Sequence, residues 1–158
     1  MRITSALLTD LYELTMVQGY YHYSLNPQVV FDMFFRKQPF NGGFSVFAGL
    51  EELLLTLRDF HFSDEDIAYL SSVGLFEDDF LEYLRGFRFQ GDVYAVPEGT
   101  VVFPQEPLIR IHGTLIECQL IESVLLNLVN FQTLVATKTA RIYLAANGGK
   151  GLEFGLRR

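Results

Sequence analysis

Apolar residues recur at helical spacing in five stretches of the chain, which predicts five helices. The stretches are Thr9 to before Pro27, residues 47–59, a short helix after residues 63–66, residues 77–85, and Glu117 to about Ala146. Thr9 is expected to cap the first helix, with Asp10 in its first turn. Residues 63–66 match a capping box, and Gly86 should end the fourth helix. The last helix would be roughly 45 Å long, so we expect it to kink or to project.

Between these helices the apolar pattern changes to a period of two, which predicts short strands. The predicted strands are residues 29–36, 91–96, 100–104 and 107–112, with one more at Gly151–Gly155. Segments rich in Pro, Gly and Asn separate them, as is typical of turns. The last strand cannot stand alone, because an isolated strand leaves its backbone groups unpaired.

Composition narrows the classes of partner. The chain has 158 residues and a net charge of −7, from 12 basic and 19 acidic side chains. This argues against nonspecific nucleic-acid binding, which needs an extended field of Lys and Arg. The lone Cys118 excludes an intramolecular disulfide and fits a reducing compartment. We expect no membrane span and no signal peptide, and therefore a cytoplasmic protein.

Two further patterns suggest contacts outside the chain. The mean hydropathy of +0.20 is high for a soluble domain, so part of the apolar surface is expected to face another body. Charge is also uneven, since residues 59–98 carry ten acidic and two basic side chains, whereas residues 123–158 carry five basic and one acidic. A cationic region in an acidic protein can attract a small anion.

Familiar catalytic motifs are missing from the sequence. His22, His61 and His112 are far apart and the cysteine lies elsewhere, so no metal-binding spacing is present and each histidine is expected to be structural. No nucleophile elbow, Walker A motif or dinucleotide fingerprint occurs. The paired glycines at 42–43 and 148–149 fit a turn and a helix stop.

Two local clusters have residues suited to binding a flat anion. In the first, residues 9–16, Tyr12 follows the start of a helix and could project its ring into a cleft, although a core or interface tyrosine has the same pattern. In the second, residues 153–158, an aromatic ring precedes the paired Arg157 and Arg158. Guanidinium groups can stack on a flat ring and bind a carboxylate or phosphate through two hydrogen bonds.

An ordered set of segments, including both clusters, resembles nicotinate phosphoribosyltransferase, and the resemblance covers essentially the whole chain. The segments are Thr9 to Met16, Phe34 to Lys37, Gly43-Phe44, Phe47 to Glu52, Pro97 to Gly99 through Pro107-Leu108, Glu117 to Arg141, and Glu153 to Arg158. Each segment alone is modest, but their order is specific to this family.

The resemblance implies an α+β fold belonging to the type II phosphoribosyltransferases. It implies an N-terminal hammerhead-type domain over residues 1–116, a long connecting helix over 117–147, and the first strand of a truncated α/β barrel within 148–158. Family members are several hundred residues long. We therefore expect this chain to be an N-terminal fragment that is inactive alone.

The resemblance also implies an activity in NAD salvage. Family members join nicotinate to phosphoribosyl pyrophosphate, giving nicotinate mononucleotide and pyrophosphate, and ATP hydrolysis drives the reaction through a phosphorylated histidine. That histidine is expected beyond residue 158, as are the residues for phosphoribosyl pyrophosphate and Mg²⁺. By this reading the chain alone binds no cofactor and no metal, and the full-length enzyme uses ATP and Mg²⁺.

The resemblance further assigns roles to substrate-binding residues in a homodimer with a shared active site. Tyr12 would stack on one face of the pyridine ring from the neighbouring subunit, and Phe154 on the other face. Arg157 would bind the nicotinate carboxylate or a phosphate, with Arg158 beside it. Arg36 would reach phosphates across the dimer interface.

Three points stay open at this stage. Asp10 is either a further substrate-binding residue or only the start of a helix. The chain could instead be a non-catalytic, dimerising interaction domain that binds no substrate. A sister enzyme that uses nicotinamide or quinolinate is the third alternative, although the arginine pair favours a substrate with a carboxylate.

Overall fold

The computed structural model of the chain describes residues 5–152, which form five α-helices and two small antiparallel sheets around one apolar core. The helices are α1 (Leu11–His22), α2 (Leu50–Arg58), α3 (Asp64–Val73), α4 (Asp78–Gly86) and α5 (Leu115–Ala145). The strands are β1 (Gln28–Met33), β2 (Ser45–Val46), β3 (Asp92–Ala95), β4 (Val101–Val102) and β5 (Ile109–Thr114), and a 3₁₀ turn covers Pro39–Asn41. This is the expected α+β class.

The larger sheet has the order β1-β5-β3 with both pairs antiparallel. Val30 lies opposite His112, and Tyr94 opposite Arg110, so the register places alternate residues on an outer face. Ile109 and Ile111 are buried on the inner face. The smaller sheet pairs β2 with β4.

Helix α5 is the central element of the core and is continuous over 31 residues. Thr114 and Glu117 form a capping box at its start, which explains why it begins two residues before the predicted position. Glu117 also accepts the Gln90 N–H at 2.8 Å. The N-terminal part of the helix packs in the same apolar core as the other helices and the sheet, whereas its C-terminal end near Ile142 and Tyr143 is exposed.

Helix α5 corrects the expectation that no segment could span a bilayer. By length and composition alone it could cross one, and 44% of its most apolar window is buried inside the protein. Core helices of soluble proteins have the same composition, because a helix surrounded by protein needs apolar residues on every side. The buried side chains of Glu117, Thr133 and Thr137 on α5 also form hydrogen bonds with other segments of the chain.

Segment 45–49 is fixed on α5 by two threonines. The Thr137 hydroxyl accepts the Val46 N–H at 2.9 Å, and the Thr133 hydroxyl accepts the Ala48 N–H and donates to its carbonyl, both at 3.1 Å. Gly49 has φ of +105° and lies so close that a Cβ would come within 3.3 Å of the α5 backbone. Only glycine fits both constraints without strain.

Several predicted boundaries were wrong for identifiable reasons. Helix α2 begins at Leu50 rather than residue 47, because the segment before it pairs as β2 and the Glu98 carboxylate accepts the Leu50 N–H at 2.7 Å. Strand β1 ends at Met33, three residues early, and β4 has only two residues. The N-cap of α1 is Asp10, since the Thr9 hydroxyl bonds to Glu13 instead. The strand predicted at Gly151–Gly155 extends beyond the described residues.

Candidate functional site

Three recesses lie along one face of α5 and meet at Leu126, which lines all of them. The first, the β1 groove, is about 720 Å³ and runs between residues 30–37 and α5. The second, the α5 recess, is about 480 Å³ and reaches Phe131 and Leu134. The third, the Asp10 recess, is about 330 Å³ and is bounded by Leu8, Thr9 and Asp10. Together they form a continuous face with both apolar and polar lining residues.

Two predicted site residues line different recesses of this face. Arg36 lines the β1 groove, and Asp10 lines the Asp10 recess. The neighbouring Lys37 lines both the β1 groove and the α5 recess. Arg36 and Lys37 are both exposed, so their cationic groups are available to a ligand or a partner. Asp32 and Glu122 line the β1 groove as well, so this groove carries charges of both signs.

Helix α1 presents Tyr12 near Glu122 of α5 and near Asp10, although Tyr12 lines none of the three recesses. Tyr12 is 51% exposed, and Leu8, Leu11 and Met16 are also exposed. The phenol pKa is raised, first by the negative charge of Glu13 and then by burial, with smaller contributions from Glu122 and Asp10. Tyr12 is therefore a neutral hydrogen-bond donor with an accessible aromatic ring, suited to stacking on a flat ligand.

Glu13 lies beneath Tyr12 and is almost completely buried. It accepts a short hydrogen bond from the Thr9 hydroxyl, and its Oε1 lies 3.5 Å from the Tyr12 hydroxyl. Glu122 of α5 lines the β1 groove and accepts from Gln119 at 3.2 Å. Burial, followed by the charge of Glu13, raises the pKa of Glu122.

Sequence reasoning missed the part played by Glu13 and Glu122. A signal for Glu13 was present, since it precedes the buried Val17 by four residues and so shares its helix face. Glu122 had no comparable local signal. Its relation to Tyr12 depends on α1 lying against α5, which joins residues about a hundred positions apart.

Asp10 is the N-cap residue of α1, but its side chain makes no capping hydrogen bond. Its carboxylate is exposed on the Asp10 recess. An N-cap carboxylate usually accepts a hydrogen bond from a backbone N–H in the first turn of its helix. Asp10 accepts no such bond, which leaves its carboxylate free for the alternative role in binding.

The basic stretch of α5 forms a second grouping. Lys138 Nζ and the Arg141 guanidinium carbon each lie 5.7 Å from the Phe40 ring centroid, and Arg141 donates to the Phe40 carbonyl at 3.1 Å. Both cations stabilise the 3₁₀ turn, where Phe40 has φ of +58°. Two of the basic side chains in the C-terminal part of the sequence therefore have a structural role, namely to hold the 3₁₀ turn against α5.

Other candidate chemistry is limited within residues 5–152. Cys118 lines the β1 groove, but burial raises the pKa of its thiol to about 11, so the thiolate nucleophile is not formed at neutral pH. The three histidines lie outside the three recesses. No group of three or more His, Cys, Asp or Glu in this part of the chain could hold a metal ion. Phe154, Arg157 and Arg158 lie outside the described residues.

Comparison with known proteins gives a consistent result. Residues 7–130 match the family model described as the nicotinate phosphoribosyltransferase N-terminal domain. The chain is 44% identical over 153 residues to a nicotinate phosphoribosyltransferase of Mycobacterium tuberculosis, covering 97% of this chain and 33% of that protein. It is 46% identical over 154 residues to the enzyme of that name from Bacillus subtilis, covering 97% of this chain and 31% of that protein.

Solved structures share the fold. A crystal structure of human nicotinic acid phosphoribosyltransferase superimposes with a TM-score of 0.85 and 41% identity, covering 95% of this chain and 31% of that one. Nicotinate-nucleotide pyrophosphorylase from Pyrococcus furiosus has the same fold at a TM-score of 0.74 and 24% identity, covering 96% of this chain and 32% of that one. The chain spans about a third of the length of the curated relatives it matches.

Proposed function

Because the chain belongs to the nicotinate phosphoribosyltransferase family, we propose that its full-length gene product makes nicotinate mononucleotide for NAD salvage. Nicotinate and phosphoribosyl pyrophosphate are the substrates, pyrophosphate leaves, and ATP is hydrolysed to ADP and phosphate. The observation that carries this proposal is the match to the N-terminal domain over residues 7–130, at 44% identity to a named relative. We further propose that the protein acts in the cytoplasm.

The chemistry sets two requirements that Tyr12 of α1 and Arg36 of the β1 groove are suited to meet. Breaking the anomeric C–O bond builds positive charge on the ribose and negative charge on pyrophosphate, so the site must hold a flat acceptor ring and neutralise phosphates. The exposed Tyr12 ring can stack on the pyridine, and the exposed Arg36 can pair with a phosphate. Asp10, with no capping bond, is a further polar contact in this proposal.

We propose that these residues act across a homodimer. The exposed apolar face of α1, formed by Leu11, Tyr12 and Met16 together with Leu8 just before the helix, resembles the apolar centre of a protein interface. Phe34 is also exposed at the β1 groove. If Tyr12 lies at a dimer contact, its ring can enter the partner's site while the remainder of α1 packs against the partner.

Further parts of the proposed site lie outside the described residues. Phe154 is proposed to stack on the other face of the pyridine, and Arg157 with Arg158 to bind the nicotinate carboxylate or a phosphate. ATP and Mg²⁺ would drive the reaction through a histidine that this chain does not contain. The described residues offer Mg²⁺ no cluster of ligands, so we assign it none here.

An acceptor assay with the full-length gene product tests the proposal. We expect nicotinate mononucleotide to form from nicotinate, with nicotinamide and quinolinate converted at least a hundredfold less efficiently; a preference for either of those two would identify the sister enzyme instead. Tyr12→Ala should raise the nicotinate KM roughly ten- to hundredfold, since stacking on an aromatic side chain contributes about 1–3 kcal/mol. Arg36→Ala should raise the KM for phosphoribosyl pyrophosphate. Arg58→Ala is the control, because Arg58 pairs with Asp59 at 2.9 Å and lies outside the recesses.

One observation favours a second candidate, a dimerising interaction domain without catalysis. The α1 face is apolar enough to bind a partner whether or not a substrate is present. Calorimetry with millimolar nicotinate or phosphoribosyl pyrophosphate separates the two. No heat with either ligand, together with a stable dimer, would support the interaction domain.

A further inference from the structure

The unusual feature of helix α1 is a buried glutamate next to an exposed tyrosine. Glu13 is 1% exposed, whereas Tyr12 beside it is 51% exposed. None of the ion pairs within residues 5–152 includes Glu13. Burying a carboxylate without a cation is costly unless its oxygens accept hydrogen bonds. The hydrogen-bond donors that surround the Glu13 carboxylate must therefore compensate for its burial.

Both Glu13 oxygens face hydroxyl groups. Oε2 accepts from the Thr9 hydroxyl one turn earlier, and Oε1 lies 3.5 Å from the Tyr12 hydroxyl. An ionised carboxylate can only accept, so both hydroxyls must donate. The negative charge of Glu13 also raises the pKa of the Tyr12 phenol, which keeps that donor protonated. The polar end of Tyr12 is thereby directed at a buried, immobile group.

The surroundings reinforce this arrangement. Tyr12 faces Glu13 from α1, and Glu122 faces it from α5, where Gln119 donates to Glu122 at 3.2 Å. Asp10, the N-cap residue, adds a further negative charge near Tyr12 and Glu122. None of these groups is cationic, and the Tyr12 hydroxyl belongs to an exposed side chain next to these acids. An exposed tyrosine samples several rotamers, and a bond to its hydroxyl removes part of that freedom before a ligand arrives.

We propose that Glu13 is a positioning residue whose carboxylate holds the Tyr12 hydroxyl and so fixes the ring for stacking on the substrate. The inference rests on the proposed role of Tyr12 in binding the pyridine ring. Glu13 touches no substrate itself and acts only through Tyr12. Its contribution is therefore expected in substrate affinity and not in the chemical step.

A double-mutant cycle on the full-length gene product tests the proposal. Glu13→Ala should raise the nicotinate KM roughly two- to fivefold, since a 3.5 Å contact is weaker than a full hydrogen bond to a charged group, with kcat changed less than twofold. Glu13→Gln keeps an acceptor oxygen and should restore part of the loss. In a Tyr12→Phe background, Glu13→Ala should add little, because the hydroxyl it holds is already gone. If the two losses multiply instead, Glu13 does not act through Tyr12 and the proposal is overturned.

Glu117→Gln is the matched control, since Glu117 is also a buried carboxylate but serves the capping box of α5. It should lower the melting temperature without raising the nicotinate KM selectively. If Glu13→Gln and Glu13→Ala behave like Glu117→Gln, Glu13 is only structural and the proposal fails. Where Glu13→Ala does not fold, Thr9→Val removes the other hydroxyl bound to Glu13 and should raise the nicotinate KM by a smaller factor.

A titration separates failure of this inference from failure of the proposed function. Tyrosine labelled with ¹³C at Cζ reports the phenol pKa by NMR, and Tyr12→Phe identifies the Tyr12 signal. We expect Tyr12 to titrate above the ordinary tyrosine value of about 10 and to move toward it in Glu13→Gln. An unchanged titration in Glu13→Gln overturns the contact whatever the enzyme converts. A protein inactive on nicotinate with the expected titration would refute the proposed function and keep the contact.

Discussion

Helices α1 and α4 touch each other but distribute their residues in opposite ways. Tyr21 of α1 packs on Phe80 and Tyr83 of α4, with ring centroids 5.7 and 4.9 Å apart. Helix α4 buries Phe80, Leu81 and Leu84 and exposes its acids, as an amphipathic surface helix does. Helix α1 buries Glu13 beside Leu14 and Val17 and exposes Leu11, Tyr12 and Met16.

The difference between the two helices distinguishes residues placed for folding from residues placed for another purpose. The pattern of α4 is fully explained by burial against its own domain. The exposed residues on the outer face of α1 add no buried surface to the described core. The buried Glu13 carboxylate lowers the stability of the fold, because removing a charge from water costs free energy. Residues arranged against the stability of a fold are found mainly where a ligand or a partner needs them. This distribution is what the proposed contact of α1 with a substrate and a partner subunit requires.

The largest expected contrast is in stability. Phe80→Ala removes a fully buried ring from α4 and should cost about 3–5 kcal/mol. Met16→Ala on α1 removes a side chain that is 41% exposed and should cost less than about 1 kcal/mol. Urea unfolding of the chain, followed by circular dichroism, measures both. Equal losses would mean that the outer face of α1 is part of the core after all.

The next contrast is in association of the full-length gene product. Leu11→Glu combined with Met16→Glu should weaken dimerisation at least tenfold, because burying each such apolar side chain is worth about 1.5–3 kcal/mol. Leu54→Glu with Tyr69→Glu changes two exposed apolar residues on other helices and is the control. Sedimentation velocity over a range of concentrations gives the dissociation constants. Identical values for both pairs would exclude α1 as the contact.

A smaller contrast concerns helix capping. Ser63 of α3 bonds to the Asp66 N–H in a complete capping box, so Ser63→Ala should cost about 1 kcal/mol. Asp10→Ala at the start of α1 removes no capping bond and should cost only a few tenths of a kcal/mol, through the helix dipole. Denaturant midpoints of the two variants measure the difference. A loss at Asp10 as large as that at Ser63 would make Asp10 a structural residue.

The smallest contrast is in pH dependence. Burial raises the pKa of Glu122, so this group stabilises the fold below its unfolded pKa and loses that contribution as pH rises through the folded value. Glu122→Gln should therefore be slightly more stable than the parent at pH 7, by about 1–3 °C in Tm, and the gap should close toward pH 4. Glu82→Gln on α4 changes an exposed pair with Arg85 and is the control. Thermal melts at several pH values would contradict the argument if the gap widened on acidification.

Local signals were enough to predict much of the fold. The capping box at Ser63 and the helix end at Gly86 depend only on residues close in sequence. Helix α3 begins after Ser63 and helix α4 ends at Gly86, as expected. Boundaries set by distant residues could not be predicted. The Glu98 carboxylate caps α2 from nearly fifty positions away, and β2 exists only through its two-residue pairing with β4.

The candidate site divides in the same way. Tyr12 and Arg36 came from family resemblance. The structure places Arg36 in the β1 groove and Tyr12 near Glu122, which lines the same groove, without testing their roles. Glu122 could not be found by local reasoning, because its proximity to Tyr12 arises from packing of α1 on α5. The acidic surroundings of Tyr12 are thus a product of tertiary structure.

The continuity of α5 has a mechanical consequence. Glu122 beside Tyr12 and Arg141 at the 3₁₀ turn lie on one helix, roughly 28 Å apart at 1.5 Å per residue. Arg141 is tied to the 3₁₀ turn by its 3.1 Å hydrogen bond to the Phe40 carbonyl, and Glu122 lies close enough to Glu13 of α1 for their charges to interact. The helix is therefore held at both points. It acts as a rigid spacer that fixes the distance between the Tyr12 region and the 3₁₀ turn.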